Sequence, residues 1–156
     1  GTQRAALDAL AARLALGRRV VFTGYVPDGD LPALLNSVDV FVMPGEAELQ
    51  CIAALEAMAT GRPLLLADAQ ALPELVEPGR NGYLFRTGDA DDAARGMARL
   101  LAERGRWPAM GAASLAMARA HSLDDTIRRY EALYRSLLAA WRAKAPTRDW
   151  GLGIRH

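Results

Sequence analysis

Two glutamates eight residues apart, Glu48 and Glu56, are the side chains of this sequence best placed to do chemistry. They lie in the run 38–66, VDVFVMPGEAELQCIAALEAMATGRPLLL. Glu48 falls between the end of an apolar, β-branched run and the body of an Ala/Leu/Met-rich segment. Glu56 lies eight residues later, about two helical turns on, within that segment. An ionised carboxylate accepts hydrogen bonds from hydroxyl groups. The helix start between the two offers unpaired backbone N–H groups and the positive end of the dipole, which suit a phosphate near residues 49–52. The pattern therefore fits a ligand carrying both a phosphate and hydroxyl groups. Acidic residues near helix starts are also favoured by the dipole alone, and a Glu-x7-Glu spacing by itself says little.

The elements that must position these side chains are legible around them. Residues 38–43 read as a buried strand closed by Pro44-Gly45, and 52–60 as a helix. Gly61 sits where a helix terminus favours a left-handed residue, and Pro63 cannot continue the helix. Leu64, Leu65 and Leu66 begin the next strand. A strand, a helix and a strand in about thirty residues make one βαβ unit with parallel strands. Ligands of such units bind outside the carboxyl ends of the strands, where Glu48 lies.

Before this unit, residues 2–16 are expected to be helical, with Leu7, Leu10 and Leu14 on one stripe and Gly17 as a stop. Residues 19–23 read as a buried-type strand. Asp30 and Pro32 open a short helix reaching about residue 37. After the unit come a short helix around 73–76, a turn at 78–82 and a strand at 83–85. Helices are expected at 89–102, 107–120 and 123–143, the last capped by Ser122 and striped by Ile127, Tyr130, Tyr134 and Leu137. Residues 1–143 are taken as one domain and 144–156 as a tail. Four strands alternating with helices predict an α/β fold with a Rossmann-like parallel sheet and flanking helices.

Composition narrows the function classes. The 156 residues are 51% hydrophobic and 24% charged, with a net charge of +1, the balance of a globular protein. Nothing in that charge announces nucleic acid. Cys51 is the single cysteine, so no internal disulfide is available, and no Cys/His cluster suggests a metal. No apolar run approaches the ~20 residues of a membrane span. A cytoplasmic location is expected, with a peripheral membrane contact as an option. The basic, Trp-containing end (Trp141, Arg142, Lys144, Arg148, Trp150) offers such a contact, although ends of this kind are more commonly solvated. The chain begins at Gly1 without a methionine, which suggests a fragment.

The run PGEAELQCIAALEAMATGRPLLL resembles the donor-site signature of retaining glycosyltransferases of the GT-B fold, glycosyltransferase family 4. That signature is Pro-Ser, Glu-x7-Glu and Glu-Ala-Met-Ala-x-Gly-x-Pro. Glu48, Glu56 and the residues from Glu56 to Pro63 fit it. Val21-Phe22-Thr23-Gly24-Tyr25-Val26 resembles the family's V-x-F-x-G-x-V. Leu72-Pro73-Glu74-Leu75-Val76 and Gly79-Arg80-Asn81-Gly82-Tyr83-Leu84 resemble its E-x-V and G-x-N-G-x-L. The resemblance spans about residues 20–101. It implies a nucleotide-sugar donor, with Glu56 on the ribose hydroxyls and Glu48 on the sugar, orienting the anomeric carbon. Gly24, Tyr25 and Val26 would form the turn against the nucleobase, and Glu74 would lie near the donor sugar. Gln50, Cys51 and Ile52 would meet the diphosphate through backbone N–H groups. No cofactor and no metal are implied.

The departures are local. Gln50-Cys51 replace a Phe-Gly-like pair, so approach without a Cβ is lost at Cys51. For Cys51, at a helix start, a lowered pKa with some reactivity is one option, and a small residue in a tight place is the commoner reading. Gly45 stands where Ser is common. The Glu-x-Gln at 48–50 resembles that of some glycolipid glucosyltransferases, a hint of a glycolipid or polysaccharide acceptor. His121 and His156 lack partners that suggest catalysis. The family's donor domain has six strands, ordered 3-2-1-4-5-6. Its first two are expected to precede Gly1, so strands near Val21 and Val40 must pair directly, leave a gap or borrow strands. The Arg and Lys that stabilise the leaving diphosphate, and the N-terminal acceptor domain, are expected outside this stretch, leaving a fragment that binds without turnover. The competing readings are a GT-B sugar-nucleotide epimerase, whose Gly-Gly and Glu-Glu pattern is not found, and a non-catalytic nucleotide-binding α/β module. A response-regulator receiver is set aside because the strand ends without its Asp.

Overall fold

Leu64, Leu65, Leu66 and Ala67 form a strand that is buried along its whole length, the pattern of a central parallel strand covered on both faces. The computed structural model, which describes residues 1–144, places this strand in the middle of a three-stranded parallel sheet. In chain order the strands are β1 (Phe41–Met43), β2 (Leu64–Ala67) and β3 (Gly82–Phe85). Phe41 lies opposite Leu64, and Leu64 opposite Gly82. Gly82 is required at its position, because a Cβ there would run into the Leu64 backbone.

Among the described residues there are six α-helices: α1 (Arg4–Arg13), α2 (Leu31–Asn36), α3 (Ile52–Ala59), α4 (Ala90–Ala102), α5 (Trp107–Arg119) and α6 (Leu123–Lys144). α3 joins β1 to β2 and buries Ala54, Ala57 and Met58. Gly61 ends it with φ +70°, as its place after the helix predicts. α5 packs against α3, and at their contact a Cβ on Gly111 would meet the Gly61 carbonyl oxygen. α4 packs on β2 and β3 and is capped by Asp89, whose side chain accepts the Asp92 N–H at 2.8 Å. The β2–β3 connection holds a 3-10 turn, Leu72–Leu75. The Ser122 hydroxyl accepts the Asp125 N–H at 3.2 Å and so caps α6 as expected.

The chain forms two compact units, residues 1–34 and residues from 35 onward. The second holds the sheet. In the first, α1 is followed by a 3-10 turn, Gly17–Arg19, and by extended chain.

One expectation is corrected. The strand expected at 19–23 does not form: Val20 is extended, but no residue there enters a sheet, and Val21 is 78% exposed. An extended segment without a partner leaves its N–H and C=O groups to water, so β propensity alone cannot hold it as a strand. Of the arrangements open to the segments near Val21 and Val40, direct pairing is not found, and β1 is an edge strand paired with β2. The apolar stripes of α1 and α6 are also not buried. Leu7, Leu10 and Leu14 are exposed, as are Ile127, Tyr130, Tyr134 and Leu137. The tail at 145–156, including Arg148, Trp150 and His156, lies outside the described residues.

Candidate functional site

At the carboxyl end of β1 the chain turns through Pro44-Gly45 and reaches α3 by way of Glu48 and Cys51. Gly45 lets the Glu48 side chain fold back over this turn. A Cβ at position 45 would lie 3.1 Å from Glu48 Cγ and 3.2 Å from its Oε1. Glu48 is half-buried, whereas Glu56 is exposed on α3. The Glu48 carbonyl oxygen also accepts the Ala71 N–H at 3.2 Å. That bond ties the β1–α3 loop to the segment after β2, where Gln70 adopts φ +50°. The 3-10 turn that follows carries Glu74, which is exposed.

Cys51 is the N-cap residue of α3 and is buried. Burial, which penalises the thiolate, pushes its pKa up from the ordinary 9.0; the Glu48 and Glu56 carboxylates add to the rise. The Ala54 and Ala53 N–H groups pull the other way without overcoming burial, and the geometry falls short of a cap hydrogen bond. Of the two readings of Cys51, the lowered pKa is therefore set aside, because desolvation outweighs the helix start. Glu48 precedes α3 and Glu56 lies within it, and both carboxylates add to the rise at Cys51.

The second unit thus gathers Glu48, Gln50, Cys51, Ile52 and Glu56 on one loop and helix start, with Glu74 on the neighbouring turn linked through Ala71. Gln50 and Ile52 are exposed. Gly24, Tyr25 and Val26 belong to the first unit. Gly24 has φ +71° there, which explains its glycine, and Tyr25 is 86% exposed. In the same unit a groove of about 660 Å³ runs along α1, but Arg4 in its wall is already engaged by Asp8 and by the Phe22 ring. Among the described residues no three His, Cys, Asp or Glu side chains gather as metal ligands would, and no helix is long and apolar enough to cross a membrane.

Sequence reasoning passed over two residues that shape the site. Gln70 holds a left-handed backbone normally left to glycine, a signal no residue type announces. Asn81, read as part of a turn and of the G-x-N-G-x-L resemblance but given no role, is fully buried, and its side chain fastens the end of the Glu74 turn. An asparagine between Arg80 and Gly82 was the available sign.

Known proteins are similar to this chain in sequence and in fold. The profile of the family described as "Glycosyl transferases group 1" matches residues 1–103. A GDP-mannose-dependent alpha-mannosyltransferase of Mycolicibacterium smegmatis is 39% identical over 125 residues, covering 77% of this chain and 33% of that protein. The sucrose-phosphate synthase of Thermosynechococcus elongatus superposes with a TM-score of 0.79 at 28% identity, over 90% of this chain and 35% of that one. Anabaena HepE, solved in complex with UDP and glucose, superposes with a TM-score of 0.69 at 24% identity, over 85% of this chain and 35% of that one. The chain spans about a fifth to a third of the length of the curated relatives it matches. With the parallel sheet, its flanking helices and the profile match agreeing, the chain belongs to the group 1 glycosyl transferases and carries the C-terminal domain of their GT-B fold.

Proposed function

We propose that this chain is the donor-binding portion of a retaining hexosyltransferase of glycosyltransferase family 4. The enzyme transfers a sugar from a nucleotide-sugar to an acceptor hydroxyl, without a metal. The observation that carries this reading is Glu48, half-buried over Gly45 at the carboxyl end of β1, standing just before the helix that carries Glu56. Glu56, exposed and about one turn along the helix, accepts the two ribose hydroxyls. Glu48, half-buried and folded over Gly45, accepts sugar hydroxyls and orients the anomeric carbon. The diphosphate lies at the N-terminus of α3, toward Gln50, Cys51 and Ile52. Glu74 approaches the sugar from its turn, and Gly24, Tyr25 and Val26 form the turn against the nucleobase.

In the reaction the bond from the anomeric carbon to the diphosphate oxygen breaks and a bond to the acceptor oxygen forms. The acceptor proton leaves with the nucleoside diphosphate. Cations that stabilise the departing diphosphate, where electrostatic stabilisation is a large term, come from a further part of the protein, together with the acceptor domain. The GDP-mannose-dependent relative and the UDP-bound HepE support a nucleotide-sugar donor and leave the base open. Cys51, standing where glycine would allow closer approach, favours a second reading in which the domain binds nucleotide without catalysing transfer. Turnover assays on the longest available form of the protein, with UDP-, GDP- and ADP-sugars, separate the two.

Calorimetric titration of the chain with UDP, GDP and ADP tests the donor site. Saturable binding of one of them, weakened in Glu56→Ala, is the expected result. Tight binding unaffected by that substitution would contradict the assignment of Glu56.

A further inference from the structure

Asn81 is fully buried, yet neither of its side-chain polar atoms is left unpaired. Its Nδ2 donates to the Leu75 carbonyl at 2.9 Å, and its Oδ1 accepts the Glu77 N–H at 2.8 Å. Its own carbonyl accepts the Leu64 N–H at 2.9 Å, which fixes it to the start of β2. One side chain thereby clamps the carboxyl end of the Leu72–Leu75 turn to the sheet. The other end of that turn is held by the Ala71 N–H on the Glu48 carbonyl, at 3.2 Å, just after left-handed Gln70. Leu72 and Leu75 are buried beneath the turn, while Glu74 between them is exposed. The turn is thus a bracket with two fastenings, and it carries one glutamate and touches the backbone of another.

We propose that Asn81 is a positioning residue for the sugar end of the donor site, setting Glu74 through the turn and Glu48 through Ala71. This rests on the donor-site reading above and adds to it a division of labour. The nucleotide end, at Glu56 and the start of α3, is built on β1 and α3 and does not depend on Asn81. The sugar end depends on it.

The test is Asn81→Asp. At pH 8 the introduced carboxylate still accepts the Glu77 N–H but faces the Leu75 carbonyl with an oxygen where a donor stood. Protonation restores the donor, and burial raises the pKa at which it occurs. Affinities are measured by calorimetry for UDP against UDP-glucose, GDP against GDP-mannose, and ADP against ADP-glucose, with folding verified by circular dichroism. The expected result is a loss of about tenfold for the sugar conjugate, the size of one hydrogen bond to a charged group, with the bare nucleotide unchanged. The loss recedes at pH 5 and disappears when Glu48 and Glu74 are already alanine, because coupled groups are not additive. An equal loss for nucleotide and conjugate would overturn the proposal, as would a loss that persists undiminished in the Glu48→Ala, Glu74→Ala background. Failure of the unsubstituted chain to bind any nucleotide would instead sink the donor-site reading, and it needs no variant to detect. Should Asn81→Asp not fold at pH 8, Asn81→Ser, which keeps a shorter-reaching donor, is titrated in its place, with the same conjugate-selective loss expected.

Discussion

Three residues around α3 and the loop before it make separable predictions. Glu56 is exposed, so Glu56→Ala should leave the melting temperature unchanged while weakening nucleotide binding by about 1–3 kcal/mol, the range for a lost hydrogen bond to a charged group. Gly45→Ala places a methyl 3.1 Å from Glu48 Cγ. The flexible glutamate can swing away, so stability should change by less than about 0.5 kcal/mol in denaturant titration. Sugar-conjugate affinity should fall, because the displaced group is the one oriented toward the sugar. Cys51 is a buried thiol whose pKa is raised, first by desolvation and then by its two glutamate neighbours. The folded state holds it protonated, whereas the unfolded thiol ionises near its ordinary value of 9.0. The unfolded chain therefore binds fewer protons above that pH, and stability should fall as pH rises past about 9. Tyr83, raised by burial and then by its bond to Glu103, adds to the same alkaline loss above its ordinary 10.0. Melting temperatures measured from pH 7 to 10.5 should decline at the upper end, and less steeply in Cys51→Ala.

At the scale of elements, the close contact between α3 and α5 is the sharpest constraint. Gly111→Ala would drive a Cβ into the Gly61 carbonyl, and overpacking of this kind costs about 1–3 kcal/mol, visible as a lowered denaturation midpoint. No loss would mean that the helices can separate freely. How much of this architecture the sequence discloses depends on where each element finds its partners. β2 and α3 were legible because Leu64 to Leu66 and the Ala/Met face of α3 are buried by their neighbours, as their types demand. α4 and α6 were legible from Asp89 and Ser122, whose caps form within one turn of chain. Residues 19–23 were not, because a strand is a relation between two segments and Val21 has the composition of one without the partner. Glu48 and Glu56 were visible as a motif. The raised pKa of Cys51 and the left-handed Gln70 were not, since both depend on how neighbours pack rather than on residue type.

For the whole chain, the two units differ in how much apolar surface they hide. The unit from residue 35 onward buries β2, Met58, Leu72, Leu100 and Met110. In residues 1–34, Leu7, Leu10, Leu14 and Val21 are exposed. Segments with few buried apolar contacts open at low free energy. Hydrogen exchange should therefore be fast for amides of residues 19–26 and slow for 64–67 and 82–85, and slow exchange at 20–23 would reveal a strand pairing absent here. The claim on which everything else depends is that the start of α3 is a nucleotide-sugar site bounded by Glu48 and Glu56. The most direct measurement is calorimetric titration of this chain with UDP, GDP and ADP, repeated on Glu56→Ala. Saturable binding of one nucleotide, weakened by the substitution while the fold is kept, is the predicted result. A folded chain that binds none of the three would contradict the claim.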